Sequence, residues 1–241
     1  MRTRLITCLS LATALISGSG ASSLSAQTGL VDIPGLFGTG VDASGQRLLA
    51  ENALDPHYQI ISRQNYYYPS GPAGLPTAFT PTLAPAVVDR NNGPCTGLDT
   101  WYVSANSCWI WFDKAASSRD VTYIFRLSFD LTGLDHTTAT MSGYAAADDF
   151  FSIFLNGAQI AQFDGPGLFS NLHSFNTPVG FIAGLNHLDF AVAGTGYADG
   201  LLVERLTGQA AVLVPEPAVA ILLALPLLIL GAGARRRHIR S

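Results

Sequence analysis

Val121-Thr122-Tyr123-Ile124-Phe125-Arg126-Leu127-Ser128-Phe129-Asp130-Leu131 decides the fold class. Val121, Tyr123, Phe125, Leu127, Phe129 and Leu131 point one way. Thr122, Arg126, Ser128 and Asp130 point the other, with Ile124 as the exception. Alternation with period two is the mark of a strand with one buried face. One buried and one wetted face belongs to an antiparallel sheet.

The stretches that follow repeat this pattern in shorter units. Residues 137–147 read as a strand rich in small residues, and residues 150–155 as a third strand. That strand runs into Asn156-Gly157, whose tolerance of positive φ suits a type I′ hairpin turn, and residues 158–163 return from it. Asp164-Gly165-Pro166-Gly167 breaks the return strand. Residues 175–182, 187–192 and 201–206 supply further strands, with residues 194–200 as a loop. No stretch of the body has sustained helical periodicity. About eight short strands with Gly and Pro turns predict an all-β, two-sheet sandwich.

Upstream of residue 121 the signals are weaker. Residues 27–46 are rich in small residues and carry at most one weak strand, and a turn at Asp55-Pro56 leads into a short strand. Six prolines (Pro69, Pro72, Pro76, Pro81, Pro85 and Pro94) then predict a long surface loop, because proline cannot donate to a sheet ladder. Tyr66, Tyr67 and Tyr68 open that loop. They either cover the edge of the core or stack on sugar rings. Trp101, Trp109, Trp111 and Phe112 form the aromatic centre, with Trp109 and Trp111 expected on one strand face and in the core.

The two ends have a different character from the body. Arg2 and Arg4 precede an apolar stretch at residues 5–16 and small residues at 17–26, the pattern of a secretory signal peptide over residues 1–26 that directs Sec export. At the other end come Pro215, Glu216 and Pro217. An uncharged apolar run of 17 residues at 218–234 follows, then Arg235, Arg236 and Arg237. Such a run is at the short end of what crosses a bilayer as a helix. Cations after it place the C-terminus in the cytoplasm and the body on the far side. The paired prolines keep the boundary extended and open to a processing enzyme.

The body, residues 27–214, holds seven Lys and Arg against 16 Asp and Glu, a formal charge of −9. That excludes nucleic acid as a natural partner and suits a soluble life outside the cell. Cys95 and Cys108, 13 positions apart in an exported chain, read as a disulfide.

Residues 214–240 resemble the PEP-CTERM sorting signal: the Pro-Glu-Pro triplet, a short apolar helix and a terminal Arg cluster, in that order. The resemblance implies an exosortase-type processing enzyme as partner. It also implies a transient inner-membrane intermediate, cleavage near Pro215–Pro217 and release to the cell surface or the exopolysaccharide matrix. A second resemblance lies in the body. Gly143-Tyr144-Ala145-Ala146-Ala147-Asp148-Asp149, the Asn156-Gly157 turn and Gly184-Leu185-Asn186-His187-Leu188-Asp189-Phe190-Ala191-Val192 are similar to segments of galactose-binding-like jelly rolls. This implies a jelly-roll topology and a structural Ca²⁺ near a sheet edge. The ion would be held by Asp148 or Asp149 with backbone carbonyls and another acid such as Asp55 or Glu204. The first reading of the two aspartates is that both cap turn amides and bind nothing, with the Ca²⁺ site as the alternative.

Motifs for catalysis are absent: no Gly-x-Ser-x-Gly, no His-Glu-x-x-His, no phosphate loop and no dinucleotide fingerprint. His57, His136, His173 and His187 lie far apart and read as surface or strand-edge residues. The expected function is a non-enzymatic surface or matrix protein that binds polysaccharide, needing no cofactor beyond that Ca²⁺. A purely structural matrix component comes second. A hydrolase comes third and would need two carboxylates set across a cleft.

Overall fold

The computed structural model describes residues 29–50, 53–65, 84–88, 95, 99–112, 121–194 and 199–213. The segment expected to be a signal peptide, 1–26, the segment expected to be a sorting signal, 215–241 with Pro215, Glu216, Pro217, Arg235, Arg236 and Arg237, and Tyr66, Tyr67 and Tyr68 lie outside these residues. Among the described residues every regular element is a strand, and no helix is long and apolar enough to cross a membrane.

The described residues form eleven strands: β1 (Leu30–Asp32), β2 (Leu54–Asn65), β3 (Ala84–Val88), β4 (Ile110–Trp111), β5 (Val121–Asp130), β6 (Leu134–Asp148), β7 (Phe150–Leu155), β8 (Ala158–Phe163), β9 (His173–Thr177), β10 (Leu185–Gly194) and β11 (Gly200–Val212). All pairings are antiparallel. One sheet runs β8-β7-β10-β5-β2, and the other joins β9, β6, β11 and β1. The short strands β3 and β4 bridge the two along one edge, so the hydrogen-bonded path is continuous from β8 to β9. From β5 onward the chain alternates between sheets, save for the β7–β8 hairpin.

The alternation in residues 121–131 is realised in rows. Ile60, Phe125, Phe190 and Ile153 are cross-strand neighbours, as are Tyr58, Leu127, Leu188 and Leu155. All eight are buried in the main core. Phe175 of the opposite sheet meets Phe190 edge-on at 5.9 Å between ring centroids. Fully burying a side chain of this kind is worth roughly 1.5–3 kcal/mol, so these rows clamp the sheets together. Ile124 faces the other side, where it packs with Ile61, Phe154 and Ala191. The Asn156-Gly157 turn has φ of 51° and 85°, as a type I′ hairpin requires.

Three local expectations differ from the structure. Residues 84–88 form a strand within the proline-rich stretch. Pro85 is opposite Gln59 of β2, while on the other side β4 pairs only with Val87 and Val88. The missing amide of Pro85 therefore costs no bond to β4. Trp109 and Trp111 are buried as expected but do not share a face. Trp111 joins the main core, and Trp109 packs with Trp101, Ala146 and Leu202 in a separate cluster. The strand there is only Ile110–Trp111, too short for alternation to reach residue 109. The strand expected at 175–182 is His173–Thr177, ending before Pro178.

Cys95 and Cys108 are joined in a disulfide, with Cα atoms 4.2 Å apart.

Candidate functional site

The outer face of the β1–β11–β6–β9 sheet carries an open groove of about 520 Å³. Its chemistry follows from strand alternation. On β6, Met141 and Gly143 turn into the core, so Thr140, Ser142 and Tyr144 turn outward. Ser142 is flanked by Thr207 of β11 and Asn176 of β9, and Thr140 is opposite Gln209. Gln209 donates from Nε2 to a carboxylate oxygen of Asp32 on β1 at 3.1 Å. The groove is therefore lined by hydroxyls, carboxamides and one carboxylate, interleaved with Met141, Pro178 and Gly208. Each hydroxyl or carboxamide can both donate and accept.

Glycine 208 sets the floor. A Cβ there would lie 2.7 Å from the Thr140 carbonyl oxygen and 2.9 Å from Leu36, so any larger residue would push the strands apart. Beyond the groove, one step further along β6, Tyr144 is 38% exposed. A β-bulge in β11 between Glu204 and Thr207 places Arg205 at φ 52°. Its guanidinium lies over the Tyr144 ring at 5.7 Å, within cation–π range. The Arg205 Nε is 3.2 Å from Glu204 Oε1. The result is an aromatic and cationic step at one end of a polar trough.

Asp148 and Asp149 sit elsewhere, at the crossover from β6 to β7. In an extended strand their side chains would point to opposite faces. Here the chain leaves one sheet for the other, alternation fails, and the two carboxyl groups hydrogen-bond to each other. Trp101 donates from Nε1 to Asp148 Oδ2 at 3.0 Å. Burial pushes the Asp148 carboxyl up to about 9, helped by the contact with Asp149 and the charge of Asp199. The surroundings thus favour the protonated form of Asp148.

By sequence Asp199 belongs to the loop at 194–200, with no local signal to place it against Asp148. Gly194 and Gly200 are the traces it leaves. A Cβ at residue 194 would lie 2.1 Å from an Asp199 carboxylate oxygen, and one at residue 200 would lie 2.7 Å from the Trp101 ring.

The two further acids named as partners for a Ca²⁺ are committed elsewhere. Asp55 accepts from the amides of Gly40, His57 and Tyr58. Glu204 accepts from the Ser104 hydroxyl, which itself accepts from the amides of Asn106 and Ser107. Among the described residues no three His, Cys, Asp or Glu side chains are grouped to hold a metal ion.

The four histidines of residues 27–214 do not come together. His57 stacks on Phe37 at 3.7 Å, His187 contacts the Ser128 hydroxyl at 2.9 Å, and His173 lies against Phe163 at 5.4 Å.

No family model matches the chain, and no curated protein matches it.

Proposed function

We propose that the chain is an exported bacterial surface or matrix protein whose body binds polysaccharide, without catalysis, on the open face of the β1–β11–β6–β9 sheet. It reaches the surface through its PEP-CTERM-like tail and an exosortase-type enzyme. The body is a galactose-binding-like jelly roll, a reading supported by the strand-by-strand alternation between sheets and by β10 seated between β5 and β7.

The observation that carries the binding reading is the groove itself. Thr140, Ser142, Asn176, Thr207 and Gln209 offer paired donors and acceptors to a row of sugar hydroxyls. Tyr144 and Arg205 add a ring and a cation at its end. Asp32 is the one carboxylate in the lining. Asp148 and Asp149 are in contact rather than held about 5–9.5 Å apart, the spacing that glycoside hydrolysis uses.

A glycan array probed with the exported protein and with its Tyr144→Ala and Asn176→Ala variants tests this. Retention of a neutral or weakly acidic polysaccharide by the parent, lost in both variants, is the expected result. Retention unchanged in both would remove the groove as the site. No retention at all would leave a purely structural matrix component.

A further inference from the structure

Among the described residues, six of the eleven exposed large apolar side chains, Leu30, Val179, Ile182, Leu185, Val212 and Leu213, gather at one end of the sandwich. Hydrogen bonds place them together. The Leu131 amide donates to the Gly184 carbonyl, and the Leu213 amide donates to the Gly133 carbonyl, each at 2.9 Å. The β5–β6 turn therefore has Ile182 and Leu185 on one side and Val212 and Leu213 on the other. Leu30 lies opposite Ala211, next to Val212. The Asn156-Gly157 hairpin joins the same end, with Asn156 Nδ2 donating to the Gly180 carbonyl at 2.9 Å.

Residues 131–134, 156–157, 178–185 and 212–213 contain no charged side chain. The nearest carboxylates, Asp130 and Asp135, are folded back onto Thr132 and Thr137 of their own turns. Scattered exposed apolar residues are ordinary, but a gathered, uncharged patch marks an interaction surface.

The chain length identifies what the patch meets. Only Val214, Pro215, Glu216 and Pro217 separate Leu213 from the apolar run at 218–234. Four residues reach at most about 14 Å when fully extended. The polar layer on one side of a bilayer is itself roughly 5–8 Å thick. With the run in the membrane, Leu213 is thus tethered within about 10 Å of the headgroup surface. Leu30, near the start of the described residues, lies at this same end.

We propose that this end of the sandwich is a membrane-contact surface, seated on the lipid bilayer through Val179, Ile182, Leu185, Val212 and Leu213 while the C-terminal span is in place. The proposal rests on the reading of residues 218–234 as that span. Seated so, the body holds the Pro-Glu-Pro segment at the interface, where a membrane-embedded processing enzyme works. Cutting the tail removes the tether, and a patch of this size without cations does not hold the body to lipid alone. Contact and release are then two states of one surface.

The test uses the full chain reconstituted in phosphatidylcholine vesicles whose acyl chains carry bromine, which quenches nearby indoles. Ile182→Trp and Leu185→Trp place reporters in the patch. Val103→Trp places one at an exposed position in the segment beside Trp101 and Gly200, where β11 begins rather than ends. Carbonate extraction of the same vesicles reports the span independently. The expected result is a carbonate-resistant chain, with bromine-dependent loss of the added emission for the patch reporters and none for Val103→Trp. Equal quenching of all reporters, or of none, in a carbonate-resistant chain would overturn the contact surface and leave the span intact. A chain that carbonate extracts would overturn the span and the contact surface together.

Discussion

Asp148→Asn isolates the buried acid pair at the β6–β7 crossover. Asparagine keeps the shape, leaves an oxygen for Trp101 Nε1 and offers an amide to Asp149, but it cannot titrate. The folded Asp148 carboxyl is raised from 3.8 to about 9, with burial as the largest cause. Between those two values the folded chain keeps a proton that the unfolded chain has released. Stability therefore falls as pH rises through this window, and the effect is absent below it. One whole proton corresponds to about 1.4 kcal/mol per pH unit, which sets a ceiling of about 4 kcal/mol between pH 5 and pH 8. Part of the cluster still feels solvent, and screening there halves the expectation to ~2 kcal/mol. The assay is urea unfolding followed by tryptophan fluorescence, parent against variant, at both pH values. Any fixed cost of the asparagine shifts both points equally, so only the change in the gap is read. The parent should lose stability relative to the variant by ~2 kcal/mol on going to pH 8. A gap that does not change with pH would mean that Asp148 is ionised in the fold and would refute the reasoning. Millimolar Ca²⁺ supplies the opposite sign. A site built on ionised Asp148 and Asp149 would stabilise the parent more as pH rises.

Tyr144→Ala and Asn176→Ala should each weaken polysaccharide retention about tenfold, equivalent to ~1.4 kcal/mol. Both should leave stability within about 1 kcal/mol, since each changes an outward-facing side chain; affinity electrophoresis and thermal melting read the two effects. Cys108→Ser should lower stability by roughly 3 kcal/mol through the lost loop closure, and non-reducing peptide mapping should find no free thiol at Cys95 or Cys108 in the parent. Gly200→Ala should destabilise by about 1–3 kcal/mol, because the added methyl meets the Trp101 and Trp109 rings; chemical denaturation measures it. Intact-mass analysis of surface-extracted protein should find the chain ending near Pro215–Pro217, without Arg235, Arg236 or Arg237.

Sequence alone determined what is local. Period-two alternation in residues 121–131 chose a half-buried strand, because each side chain of an extended backbone faces opposite to the last. Asn156-Gly157 chose the hairpin, because those two residues accept positive φ at low cost. Cys95 and Cys108 are the only cysteines in residues 27–214, so a disulfide within that stretch had to join them. Tertiary structure decided what depends on register between distant strands. Ser142 becomes a groove residue only because β11 and β9 flank it with Thr207 and Asn176, 65 and 34 positions away in the chain. Tyr144 gains its cation only through a bulge that no single-strand pattern announces. Asp148 meets Asp199 only where the chain changes sheets, and alternation says nothing about a crossover. The apolar end was equally hidden: Val179, Ile182, Leu185, Val212 and Leu213 are unremarkable in separate segments, and a patch emerges only when the loops converge on the β5–β6 turn.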